Sequence, residues 1–498
     1  MLENIYLGLG TIANWSSLFA IVGGVCIGIL AGVMPGLSAS TAVALLVPFT
    51  YGMSPIVSML LLVSVYMAGE YGGSISSIAI GTPGTPAAAA TLFDGYQLTL
   101  KGQPGKALGT SVVASTAGGM FGALMLLAFS ESLARVALSF GAPEYCSLAI
   151  FGLTIIASMA GDNLLKGFIV MLFGLLIRTI GLDPFTGAER FVFGVDKLME
   201  GVGLIPALIG LFALAQVFVG IEELGKKISK KAEYSYGLPT LRELRKLWKV
   251  ILQSSVIGSL IGVLPGAGAT IASFICYNEA KRFSKTPESF GTGCLEGVAA
   301  PEAGNNAVVG GALIPLLTLG IPGSATAAVL IGALMLHGLL PGPMLFVNNA
   351  DLVYGVFVGL FVACIFQLIF GLIGIPLWVK IIATPKGLLL PVIGAISIVG
   401  AYGKDYSMVD VWVMFFFGVM GYLLKKFNYP VTPVILALVL GGILEENFRR
   451  ALMLSDGSYA IFFSKPISLA LLIMAVLSLG SPLLIKKFTR VPAKTEKN

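Results

Sequence analysis

Gly32-Val33-Met34-Pro35-Gly36-Leu37-Ser38-Ala39-Ser40-Thr41-Ala42 breaks an apolar run with Pro-Gly. Gly262-Val263-Leu264-Pro265-Gly266-Ala267-Gly268-Ala269-Thr270-Ile271-Ala272 does the same 230 residues later, with six aligned positions identical. In each copy small hydroxyl or Gly residues follow the break before apolar character resumes. The pair reads as two interrupted membrane helices, one in each half of the chain, with a substrate expected between them.

The rest of the composition fits a membrane setting. Of 498 residues, 56% are hydrophobic and only 11% charged, against roughly 25% charged in a soluble domain. Many runs approach the roughly 20 apolar residues that span a bilayer, so an all-α polytopic membrane protein with about 11–12 transmembrane helices is expected. The runs are continuous rather than alternating, which excludes a β-barrel. The net charge of +6 reports orientation in such a protein, and no nucleic-acid partner is implied. The five Cys residues lack paired spacing, so neither disulfides nor a metal site are expected. The first 16 residues contain no Lys or Arg, so no cleavable signal is read there.

Outward from the first break, spans are expected at about 17–33, 54–68, 107–129, 143–160, 164–181 and 201–220. A short segment over 131–142 is read as interfacial. Gly69-Glu70-Tyr71-Gly72-Gly73-Ser74 and Ile80-Gly81-Thr82-Pro83-Gly84-Thr85-Pro86 look too broken for a lipid-facing helix. Irregular backbone at membrane depth must line a cavity or be buried in protein, so a re-entrant hairpin is the expectation. Leu319-Gly320-Ile321-Pro322-Gly323-Ser324-Ala325-Thr326 repeats this motif at an offset of 239. Pro143 with Gly152 pairs with Pro385 and Gly394 at 242. Ordered matches with a slowly drifting offset suggest duplication. Later spans are placed near 250–264, 352–375, 387–401, 408–424, 431–444 and 466–485.

The stretch 221–249 carries Lys226, Lys227, Lys230, Lys231, Arg242, Arg245, Lys246 and Lys249, and the positive-inside rule makes it cytoplasmic. The resulting division is a first membrane repeat (1–220), a basic linker (221–249), a second repeat (250–465), and a closing helix with a basic tail (466–498). Basic loops fall on opposite sides in the two halves, as in inverted repeats with broken helices, a signature of secondary transporters.

A break exposes the first amides of the helix that follows, and these carry partial positive charge. An anion can therefore be held without Lys or Arg. The substrate-binding residues expected from this are Pro35, Gly36, Ser38, Ser40, Thr41, Thr82, Gly84, Thr85, Pro265, Gly266, Gly268, Thr270, Gly323, Ser324 and Thr326. One terminus supplies about 0.3–2 kcal/mol, less than a buried carboxylate costs. Several converging termini, with a co-transported Na+ or H+, favour a small multi-anionic substrate. Ion coupling is assigned to Glu70, Glu302, Asn305 and Asn306. The last three share a helical face if that segment is helical. Asn305 and Asn306 equally suit a cap or an interhelical hydrogen bond. Glu296 stands beside Glu70 and Glu302 as an alternative proton carrier, and His337 suits a turn. No Gly-Lys-Ser/Thr phosphate loop and no His-Glu-x-x-His motif occur, so neither ATP hydrolysis by that route nor zinc peptidase chemistry is expected.

The motifs in order, together with Ala300-Pro301-Glu302-Ala303-Gly304-Asn305-Asn306-Ala307, His337-Gly338 and Pro341-Gly342-Pro343, resemble the large membrane permease subunit (TctA-type) of the tripartite tricarboxylate transporter family. That resemblance spans nearly the whole chain. It implies a bacterial inner-membrane permease working with a periplasmic carboxylate-binding protein and a small four-span membrane subunit. It further implies ion-driven uptake of citrate-like or other organic carboxylates, with no cofactor. A standalone carrier, or an intramembrane enzyme using Glu70, Glu296 and Glu302, are the alternatives.

Overall fold

The computed structural model describes residues 2–34, 37–158, 164–222, 224, 237–381, 386–403 and 405–488. These residues are helical throughout, apart from turns and a two-residue antiparallel ladder of Gly181–Leu182 with Glu189–Arg190. Among the described residues, six helices are long and apolar enough to cross a membrane: Trp15–Val33, Pro55–Ile80, Pro104–Ala137, Leu204–Glu222, Ala350–Ile373 and Met408–Lys426. At 1.5 Å per residue, even 19 residues reach about 28 Å, the depth of a hydrocarbon core.

The chain forms two compact units, residues 1–138 with 202–426, and residues 139–201 with 427–498. Each unit draws on sequence from both sides of the basic linker.

The larger unit is built on glycine seams. Trp15–Val33 lies along Pro55–Ile80, and Trp248–Val263 lies along Leu295–Leu319. A β-carbon on Gly28 would sit 2.6 Å from the Val65 carbonyl oxygen, and one on Gly262 would sit 2.6 Å from that of Val308. Only Gly allows these backbones so close, and close approach is how helices associate where no hydrophobic drive operates. Pro104–Ala137 packs on Leu295–Leu319 in the same way, with Gly118 against Ala303 and Gly122 against Ala307.

Two expectations are corrected. Gly69 to Ser74 is not broken chain but the middle of the continuous helix Pro55–Ile80, which ends at left-handed Gly81 (φ 70°). Its glycines serve packing: a β-carbon on Gly72 would stand 2.6 Å from the Ile29 carbonyl oxygen. The segment after Glu131 does not start a separate interfacial piece, because Pro104–Ala137 runs on as one helix of 34 residues. Residues 295–319, whose helicity was the condition for Glu302, Asn305 and Asn306 to share a face, form a 25-residue helix buried from Gly297 to Thr318. Its polar and proline residues are tolerated because protein, not lipid, surrounds them.

Leu204–Leu208 and Ala215–Glu222 are joined by a π-helical stretch, Ile209–Leu214. In the smaller unit, helices Ala142–Ser158, Leu164–Arg178, Thr432–Leu454 and Pro466–Phe488 carry an ion-pair cluster. Asp183 accepts from the Phe185 and Thr186 amides at 2.9 Å and pairs with Arg449 at 2.7 Å. Those amides, and then Arg449, hold its carboxyl well below the ordinary aspartate range.

Candidate functional site

Pro35 and Gly36 lie outside the described residues. Just after them, Ser38 caps helix Ala39–Leu46: its backbone is extended and its Oγ accepts the Thr41 amide at 3.2 Å, a standard hydroxyl N-cap. Ser38 Oγ also meets Ser40 Oγ at 2.8 Å and Thr41 Oγ1 at 2.9 Å. Thr41 Oγ1 in turn donates to the Phe212 carbonyl of the π-helical stretch at 3.4 Å.

In the second half the break is a turn, with Gly266 (φ 79°) and Gly268 (φ 61°) both left-handed. Helix Gly268–Phe283 follows, and Thr270 is half-buried on its first turn. Ser324 caps helix Ala325–Leu336, accepting the Ala327 amide at 3.1 Å. A β-carbon on Gly268 would lie 3.9 Å from that of Ser324, so this break and the Gly-Ile-Pro-Gly-Ser motif are neighbours. Gly323 packs on the Gly262 carbonyl, as Gly84 packs on that of Gly32.

One turn of helix Pro55–Ile80 gathers these pieces. Tyr66 Oη meets Ser324 Oγ at 2.7 Å. A β-carbon on Gly69 would lie 3.0 Å from that of Ala39. Gly73, one turn on, lies against Thr85. Just beyond the far ends of the two short helices, Thr50 Oγ1, at the end of the turn Val47–Thr50, and His337 Nε2 are 3.4 Å apart. Helices Ala39–Leu46 and Ala325–Leu336 therefore run side by side in the same sense, with their amino-terminal turns together. Their buried hydroxyls, Ser40, Thr41, Ser324 and Thr326, share one region with Ser38. Thr85 is buried and accepts the Ala88 amide at 3.4 Å. Pro265 is buried in its turn, whereas Thr82 is exposed. None of these positions carries a basic side chain.

The acidic and amide candidates divide in two. Glu70 is buried mid-helix, and its carbonyl accepts from Asn305 Nδ2 at 3.2 Å. Asn306 Nδ2 turns back to the Glu302 carbonyl at 3.4 Å. The Oδ1 atoms of Asn305 and Asn306 are buried without a protein partner. Glu302 is different. Its fully buried carboxyl accepts from Ser74 Oγ, Thr91 Oγ1 at 2.5 Å, Ser111 Oγ at 3.0 Å and Ser115 Oγ at 2.8 Å. The carboxyl group thus meets four hydroxyls, one for each of its lone-pair directions. Glu296 sits at the start of the same helix and accepts from Ser284 Oγ at 2.8 Å.

The residues that sequence reading missed are Tyr66, Ser74, Thr91, Asp94, Ser111 and Ser115. Asp94 is fully buried. It accepts from Tyr277 Oη at 2.8 Å, the Gly293 amide at 2.8 Å, the Cys294 amide at 2.9 Å and the Gly291 amide at 3.0 Å. The i, i+4 spacing of Ser111 and Ser115 in an apolar helix was the only advance signal.

The arrangement defines an all-helical, polytopic membrane protein. The model of the tripartite tricarboxylate transporter TctA family matches residues 18–436, and the chain belongs to that family. It is thus a membrane component of a tripartite tricarboxylate transporter, a permease and not an enzyme. Similar proteins come from Agrobacterium vitis. An uncharacterized 52.8 kDa protein of the TAR-I ttuC' 3' region is 36% identical over 473 residues, covering 95% of this chain and 94% of that one. An uncharacterized protein of the TAR-II ttuC' 3' region is 40% identical over 215 residues, 43% of this chain and 89% of that one. No solved structure matches the chain.

Proposed function

We propose that this protein is the large inner-membrane permease subunit of a binding-protein-dependent carrier that imports a small organic carboxylate by alternating access, driven by a Na+ or H+ gradient. The observation that carries this is the meeting of two hydroxyl-capped helix starts, at Ser38 and Ser324, on the Tyr66–Glu70 turn. Aligned amino termini and their hydroxyls suit an anion. With about 0.3–2 kcal/mol from each, two termini and a co-bound cation suit a citrate-like substrate better than one terminus would. A periplasmic carboxylate-binding protein would deliver the substrate, and a small four-span subunit would complete the complex.

The same reading makes the halves inverted repeats, each with a re-entrant hairpin around its Pro-Gly motif. Matched contacts support it. Gly28 on Val65 and Gly258 on Gly304, like Gly84 on Gly32 and Gly323 on Gly262, pair positions at the sequence offsets of 230 and 239. Substrate sites between such repeats are the rule in secondary carriers. The free Oδ1 atoms of Asn305 and Asn306, with the Glu70 carboxyl, are the cation's ligands in this scheme.

Gly266→Leu places a bulky side chain on left-handed backbone beside the site. The expected outcome is loss of labelled citrate uptake by cells carrying the whole system, with normal amounts of the variant in the membrane. Uptake at the unaltered rate would overturn the site. Replacing external Na+ by choline at constant pH separates the two coupling ions.

A further inference from the structure

A second polar layer lies apart from the residues assigned above. Helices Pro104–Ala137 and Ala350–Ile373 run antiparallel: Gly371 packs on Val112, and Gly119 on Cys364. Thr116 lies four residues beyond Val112 and three before Gly119. Gln367 lies four before Gly371 and three after Cys364. The two therefore face each other in one layer of the seam. Helix Pro55–Ile80 closes the third side. Its Met67 lies against Gly119, and a β-carbon on Gly371 would stand 3.1 Å from Tyr71 Oη.

Every polar atom here lacks a protein partner. Tyr71 Oη, Thr116 Oγ1 and both Gln367 amide atoms are buried and unpaired, in residues 0%, 4% and 0% exposed. Leaving such groups unmade costs about 1–3 kcal/mol each, and a cluster of them calls for a ligand. With the Gln367 amide turned so that Oε1 faces Thr116, the layer offers oxygen from three helices. Hard cations take oxygen ligands. Ser115, next to Thr116 in sequence, donates to Glu302 at 2.8 Å, and the Glu302 carboxyl is hydrogen-bonded by four hydroxyls with no basic group among its partners.

We propose that Tyr71 Oη, Thr116 Oγ1 and Gln367 Oε1 form a binding site for a dehydrated sodium ion. The site rests on the cation-coupled reading of the protein but uses none of the residues assigned to substrate.

The test is Na+ binding to the purified full-length chain in nanodiscs, read as thermal stabilisation by NaCl over equal choline chloride and as retained 22Na+. Wild type should show a saturable gain. Thr116→Val and Gln367→Leu should raise the half-saturating Na+ concentration at least about tenfold, the loss of one good ligand. Thr116→Ser, which keeps the oxygen, should restore it. Equal melting temperatures in choline would show that the variants fold. Gly266→Leu should lose uptake yet keep the Na+ response, so the two sites fail separately. An unchanged Na+ midpoint in Thr116→Val and Gln367→Leu would overturn the proposal. So would a wild type that retains no 22Na+, leaving the layer to buried water.

Discussion

Glu302 is held by buried hydroxyls from three different helices. Leaving one partner of a buried hydrogen bond unsatisfied costs about 1–3 kcal/mol. Ser115→Ala should therefore lower the melting temperature of the purified protein by several degrees. Glu302→Gln should cost more, since an amide cannot accept from four donors. A melting temperature unchanged in both would show that the cage contributes nothing to stability. Glu302 itself was legible in the sequence as an intramembrane acid, as were Asn305 and Asn306 on its helical face. Its partners were not. Ser111 and Ser115 stand 191 and 187 residues away, and nothing local to a serine in an apolar run says which carboxylate it will meet. The same limit hid Tyr66, 258 residues from Ser324.

Among the elements, the long spans were readable because length and apolarity alone define them. The helix Leu295–Leu319 was not. Pro301, Pro315 and three polar side chains look like loop signals, and only the surrounding protein makes them compatible with a helix. The glycines divide in a way the sequence does not reveal. On helix Trp15–Val33, a β-carbon on Gly24 would stand 2.5 Å from the Leu61 carbonyl oxygen, while one on Gly23 would meet nothing within 4 Å. Gly24→Val should push the two helices apart, at the upper end of the about 1–3 kcal/mol typical of overpacking. Gly23→Val should be close to neutral. Fluorescence-detected size-exclusion of the two variants compares them directly, and equal monodisperse yields would contradict the seam.

For the molecule as a whole, the compact units follow packing rather than chain order, so the linker, visible as a run of basic residues, does not separate them. In the smaller unit the ion-pair cluster around Asp183 gives a pH dependence with a definite sign. Its folded pKa is depressed. Its contribution is therefore complete above the unfolded value of about 3.9, and is lost as the pH falls through the lower folded value. Protease resistance of this unit should be flat from about pH 7 to 5. Asp183→Asn should weaken it already at neutral pH. Equal resistance of the variant and the parent at pH 7 would remove Asp183 from the account.

Helix Ala89–Leu100 belongs to the first half by sequence, yet Thr91 and Asp94 fasten it to Glu302, Tyr277 and the Gly291–Cys294 backbone of the second. Thr99 Oγ1 also donates to the Ile78 carbonyl at 2.6 Å, and Gly95 lies against Ile78. The rod is therefore riveted to both halves, and any displacement of one would be felt by the other through it.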